Sequence, residues 1–157
     1  MNWCSRPSLA AALALLAATP PARAQAARET QVQALGIASR PAFGGVGAGL
    51  AWRDARRGRW LGAVSLGALG RGSVGARADL AWHFLLDPAR RGGSAVYGGA
   101  GVSALAERSR VTPYVLIVLG AEQDPGGTGG AFVEIGVGGG VRAEAGYRWR
   151  KRNAPGR

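Results

Sequence analysis

The chain has 157 residues, 27 of them glycine, with 20 basic against 9 acidic side chains and a formal charge of +11. Its length suits one domain, and 47% hydrophobic against 18% charged residues excludes a disordered polyelectrolyte. Glycine stands at more than twice its usual roughly 7%, an excess that needs a structural cause.

Residues 1–26 read as a secretory signal peptide. Arg6 precedes an apolar Leu/Ala run over residues 8–18, Thr19-Pro20-Pro21 breaks it, and cleavage is available after Ala24 or Ala26, with Ala26 favoured. The run is well short of the roughly 20 residues that a spanning helix needs. Cys4 is the only cysteine and precedes the run, so the mature chain has no disulfide, and neither a metal site nor a cofactor is expected. Export also argues against nucleic acid as a partner. The high charge is almost wholly arginine, Lys151 being the sole lysine, and is as much a matter of base composition as of function.

Beyond the signal the apolar period is two. After a weak first segment at 30–39, residues 42–53 place Ala42, Gly44, Val46, Ala48, Leu50 and Trp52 on one phase and Phe43, Gly45, Gly47, Gly49, Ala51 and Arg53 on the other. Segment 60–69 is blurred by Gly and Ala. Segment 74–84 is clean: Val74, Ala76, Ala78, Leu80, Trp82 and Phe84 alternate with Gly75, Arg77, Asp79, Ala81 and His83. Residues 95–106 are blurred again, and 111–122 are apolar on both phases. Residues 131–138 alternate Ala131, Val133, Ile135 and Val137 with Phe132, Glu134, Gly136 and Gly138. In 141–150, Val141, Ala143, Ala145, Tyr147 and Trp149 alternate with Arg142, Glu144, Gly146, Arg148 and Arg150.

Successive strand side chains point to opposite faces, so each clear segment has one uncharged face and one face holding all its charge. Turn and breaker residues separate the segments. The pattern predicts an all-β fold: eight antiparallel strands in an up-and-down barrel over residues 27–152, followed by a basic tail at 153–157. A helix through 74–84 would scatter Arg77, Asp79 and His83 around its girth, and interior Gly costs about 1 kcal/mol per residue.

Such a barrel puts its uncharged face either outward into lipid or inward around a ligand, as a soluble lipocalin-like barrel does. Three features favour lipid outside. The charged phase carries Arg77, Arg142 and Arg148 against Asp79, Glu134 and Glu144, a balanced set suited to a closed interior. The rest of that phase is Gly, Ala and Ser, which suits a narrow lumen where small residues make room for long ones. Trp52, Trp60, Trp82, Phe84, Tyr147 and Trp149 fall at strand ends on one rim and read as an interfacial girdle.

With these faces, the chain resembles the small eight-stranded outer-membrane β-barrels of Gram-negative bacteria. Residues 141–149, with Tyr147 and Trp149 outward, are similar to the terminal strand that barrel-assembly machinery reads. Glu144 stands where that pattern often has glycine, and a basic tail follows the aromatic. The resemblance implies a monomeric transmembrane barrel in the cell outer membrane, both termini periplasmic, with membrane lipid and the assembly machinery as partners.

Candidate chemistry is sparse. His83 is the only imidazole; Asp79, four residues along the same strand, lies about 13 Å away. If Gly67 faces Arg77, Ser65 faces Asp79 and Leu61 faces His83, so no Ser-His-Asp cluster forms and no enzyme is expected. The lipid A deacylases of this class resemble a His-x-Ser arrangement, and here Leu85 follows His83 by two. Arg77, Asp79, His83, Glu134, Arg142, Glu144 and Arg148 are instead expected to form a lumen charge network that plugs the barrel, with Arg148 a diagonal neighbour of Glu134 if Glu134 faces Gly146. Arg53, Arg56, Arg57, Arg59, Arg90, Arg91, Arg150, Lys151 and Arg152 are expected at the aromatic rim, solvating turns or meeting lipid phosphate. On the opposite rim the connections around Arg40, Arg71 and Arg108 are too short for an adhesin.

Overall fold

The computed structural model describes residues 28–53, 58–70, 72–87 and 92–151. The expected signal at 1–26, the tail at 153–157, and Arg56, Arg57, Arg71, Arg90, Arg91 and Arg152 lie outside them. The described chain forms eight strands: β1 (Arg28–Ala38), β2 (Phe43–Arg53), β3 (Gly58–Leu69), β4 (Val74–Leu85), β5 (Ser94–Glu107), β6 (Arg110–Gln123), β7 (Gly129–Val137) and β8 (Val141–Lys151). Each pairs antiparallel with its sequence neighbours, and β1 pairs with β8, so the sheet closes in the order β1 to β8. Closure leaves no edge strand, which is how a sheet satisfies every backbone group without water.

The alternation seen in the sequence becomes two walls. Leu50, Leu80, Val133 and Trp149 are 53%, 41%, 57% and 46% exposed, while Arg77, Asp79, Glu134, Arg142, Glu144 and Arg148 point inward and are buried. A soluble ligand barrel requires the reverse arrangement. In β6, where both phases are apolar, Val115, Ile117 and Leu119 face out and Leu116 and Val118 face in. Among the described residues no helix is long and apolar enough to cross a membrane; any crossing is by strands.

The two rims differ. One carries the described ends of the chain and the connections at 54–57, 86–93 and 124–128; the other has only 39–42, 70–73, 108–109 and 138–140. These far-rim turns are tight enough to need the left-handed region: Arg108 has φ 49° and Gly139 φ 76°. Beneath the far rim Leu35, Ile37, Phe43 and Leu69 pack together inside the barrel, with Leu105 against them.

Several glycines sit where rings cross neighbouring strands. A Cβ on Gly120 would lie 2.5 Å from Tyr97 Cζ, one on Gly99 2.5 Å from His83 Cδ2, and one on Gly146 2.7 Å from Phe132 Cε1. On the outside, Gly98 and Gly58 make the same room for Phe84 and Trp82. Part of the glycine excess thus serves packing across strands, making room for a large side chain where the facing residue has none.

Candidate functional site

The interior holds two polar networks, one in each half of the barrel. Near the rim that carries the chain ends, Glu122 on β6 and Glu29 on β1 share four arginines. Glu122 accepts hydrogen bonds from Arg59 (2.7 Å), Arg148 (2.6 Å) and Arg53 (3.1 Å), and Arg150 pairs with it at 3.2 Å. Glu29 lies 3.0 Å from Arg53 and 3.3 Å from Arg59, with Arg148 and Arg150 each at 3.7 Å. Arg59 and Arg148 are wholly buried, so each carboxylate is compensated by several guanidinium groups instead of by water, which is what keeps buried charge tolerable.

A ring layer sits inside this network. Tyr97 donates its hydroxyl to Glu134 at 2.7 Å, and its ring has Arg59 4.7 Å from the centroid and His83 stacked at 5.0 Å. Arg148 lies 4.4 Å over the Phe132 ring and donates to Gln31 Oε1 from both Nε and Nη2, at 2.9 and 2.7 Å. Gln31 in turn donates to Gln33 at 2.6 Å. The planar guanidinium is suited to both tasks at once, bonding in its plane and stacking on its face.

In the other half, Asp79 collects Arg77 (3.3 Å), Arg142 (3.0 Å) and the hydroxyl of Ser103. Arg142 also pairs with Glu144, and Arg77 reaches the Gly138 carbonyl. Between the halves stand Ala81, Leu116 and Val118, and Glu134 lies directly opposite Glu144 across β7 and β8. Across both networks the buried charges are Glu29, Asp79, Glu122, Glu134 and Glu144 against Arg59, Arg77, Arg142, Arg148 and Arg150, five of each sign.

The structure corrects several expectations. Ser65, not Gly67, faces Arg77; Ala63 faces Asp79 and Arg59 faces His83. Glu134 faces Glu144 and not Gly146, which faces Phe132; Arg148 still comes within 4.0 Å of Glu134. Arg53, Arg59 and Arg150, expected at the rim, turn into the lumen, because each shares the phase of its strand's inward residues. Only Lys151 of that described basic set faces outward. Glu29, Glu122, Gln31 and Tyr97 join the lumen network without having been expected there. Glu29 and Gln31 belong to the weak first strand and Glu122 to the strand apolar on both phases, so neither alternation marked their face.

His83 is buried, and its Nδ1 accepts from Arg59 Nη2 at 3.1 Å; the guanidinium has no lone pair to offer, so the imidazole is the acceptor. Ser103, the nearest hydroxyl to the Asp79 cluster, is bonded to that carboxylate. Among the described residues no group of three or more His, Cys, Asp or Glu is arranged to hold a metal.

The outward aromatics gather at the chain-end rim. Trp52, Trp60 and Trp82 are direct register partners across β2, β3 and β4. Phe84 lies 5.8 Å from Trp82, and Tyr147 lies 5.0 Å from Trp149 on β8.

The ring layer yields an expected result. Gly120→Val, whose side chain collides with Tyr97, should lower stability by about 1–3 kcal/mol through overpacking. Tyr97→Phe, which keeps the ring but removes the hydroxyl that donates to the buried Glu134 carboxylate, should cost about 1–3 kcal/mol. Urea unfolding midpoints of the refolded barrel would measure both; an unchanged midpoint for Gly120→Val would place the Tyr97 ring elsewhere.

Two solved structures share this architecture. The N-terminal β-barrel domain of Pseudomonas aeruginosa OprF is 13% identical with a TM-score of 0.60, over 81% of this chain and all of that one. Neisserial surface protein A, NspA, is 8% identical with a TM-score of 0.60, over 83% of this chain and 98% of that one. The fold is that of the small eight-stranded outer-membrane barrels. No protein-family model matches the chain, and no curated protein matches it.

Proposed function

We propose that the protein is an integral outer-membrane β-barrel, inserted by the barrel-assembly machinery as a monomer, whose lumen is plugged by paired charge and whose role is structural, stabilising the membrane it crosses. The observation that carries this reading is the outer wall. Val46, Leu66, Val74, Val115, Ile135 and Val141 are each more than 60% exposed, on a molecule that keeps most of its strand charges inside. A wall of this kind in water is an aggregation surface; in hydrocarbon it is the ordinary exterior of a spanning barrel.

The interior supports the closed state. The girdle of Trp60, Trp82, Phe84, Tyr147 and Trp149 marks one membrane interface, and Arg59, Arg148, Tyr97 and Phe132 fill the section beneath it. An eight-stranded barrel has room only for such side chains. The burial of His83 between Arg59 and Tyr97 supports a structural and not a catalytic role for it.

Folded in detergent, the protein should run at a different gel position before and after boiling, because a closed barrel without edges resists detergent unfolding. Reconstituted in planar bilayers, it should give no steady conductance. Identical gel positions would remove the closed barrel; a stable open level of conductance would remove the plug.

A further inference from the structure

We propose that the outer wall carries a site for one anionic phospholipid of the leaflet at the chain-end rim, its phosphate held by Arg28 and Lys151 and an acyl chain lying in an adjoining groove. The inference rests on the membrane reading above and adds to it a ligand class and a place.

Three successive rows of outward residues build the site. Nearest the rim, Lys151 on β8, Arg28 on β1 and Trp52 on β2 are register neighbours. One row deeper come Trp149, Thr30, Leu50 and Gly62, and one row deeper still Tyr147, Val32, Ala48 and Val64. Trp149 on β8 and Leu50 and Trp52 on β2 stand on either side of a groove of about 440 Å³ that Thr30, Val32 and Ala48 also line. These last three are small or β-branched, while both flanks carry indole rings.

Charge and depth then select the occupant. Arg28 and Lys151 are both exposed and adjacent, and neither pairs with an acid among the described residues, in contrast to the buried arginines. Two like charges side by side repel unless an anion bridges them. The rows are about 7 Å apart, so the cations sit at headgroup level, the Thr30 hydroxyl at the depth of the glycerol esters, and the rest of the groove at acyl depth. This sequence from cation through hydroxyl to apolar trough matches a phospholipid read from phosphate to chain. Indoles flanking the trough suit the interface, where their rings are amphipathic.

The test is to fold the protein into vesicles of phosphatidylglycerol and phosphatidylcholine, extract it in mild detergent, and count bound lipid by native mass spectrometry. The bound ratio should favour phosphatidylglycerol over the vesicle ratio by on the order of tenfold, given two cations at the surface. The double variant Arg28→Gln/Lys151→Gln should return it to the vesicle ratio. Ala48→Phe, which fills the groove from the lipid side and leaves the lumen untouched, should reduce the phosphatidylglycerol retained severalfold. A wild-type ratio equal to that of the vesicles, or variants that retain lipid as wild type does, would overturn the site. Quenching of tryptophan fluorescence by brominated phosphatidylcholine, run on all three proteins, separates the two readings. Without quenching the membrane assignment itself falls; with quenching but no headgroup preference, only the lipid site falls.

Discussion

Glu122→Ala should be the most damaging single substitution in the lumen, lowering the unfolding free energy by about 3–5 kcal/mol, the usual cost of removing one partner from a buried ion pair. Glu122 receives Arg59, Arg148, Arg53 and Arg150 from three different strands. Without it, four guanidinium groups are left with Glu29 and, for Arg148, Glu134 at 4.0 Å, and two of them, Arg59 and Arg148, have no exposure through which water could solvate them. Urea titration of the barrel refolded into lipid vesicles, followed by tryptophan fluorescence, measures the loss. Exchanging several members together for apolar residues of similar volume is a separate matter, since buried networks are often replaceable as a whole though not by halves. A Glu122→Ala variant with wild-type stability would show that the lumen is hydrated and that the network contributes little.

Ile117→Arg should be nearly as costly, by about 2–4 kcal/mol in lipid, the range for arginine at the midplane of a barrel's outer face. Ile117 is 55% exposed in the middle of β6, with Ala100 and Val137 beside it. Val141→Arg, at the far rim and 66% exposed, should cost about 0–1 kcal/mol because the side chain reaches the interface. The depth dependence is the diagnostic feature. If the wall faced water, both substitutions would stay within about 0.5 kcal/mol of wild type, and the membrane assignment would be lost. The same titration in vesicles of one lipid composition serves for both variants.

The far rim is bare of long loops among the described residues. Its connections at 39–42, 108–109 and 138–140 are only a few residues long, whereas functional residues in barrels often gather on longer loops held by a rigid scaffold.

That each strand has one charged and one uncharged side is legible in the residues of Val74 to Phe84 and of Val141 to Arg150 alone, because alternation of Cβ direction is a local property of extended chain. The barrel class follows from the same alternation, repeated at turn-bounded intervals. Where the local signal is absent, as in β6 with apolar residues on both faces, the inward position of Glu122 is invisible. Arg59 and Arg150, at the borders of their segments, read as rim residues although their phases point inward.

Register is a different kind of problem. Pairing Ser65 and not Gly67 with Arg77, or Glu144 and not Gly146 with Glu134, is a shift of two residues, and such a shift keeps every side chain on its own face. Alternation is blind to it. What decides it is closure: eight strands, one tilt and one stagger must agree around the whole circumference, and rings such as Tyr97 and Phe132 must meet a glycine on the next strand. The chain's own residues thus dictate strands with two unlike faces, since those depend on neighbours two positions apart. The partners of Glu122, drawn from β2, β3 and β8, depend on contacts up to 69 residues distant along the chain, and these exist only once the sheet has closed.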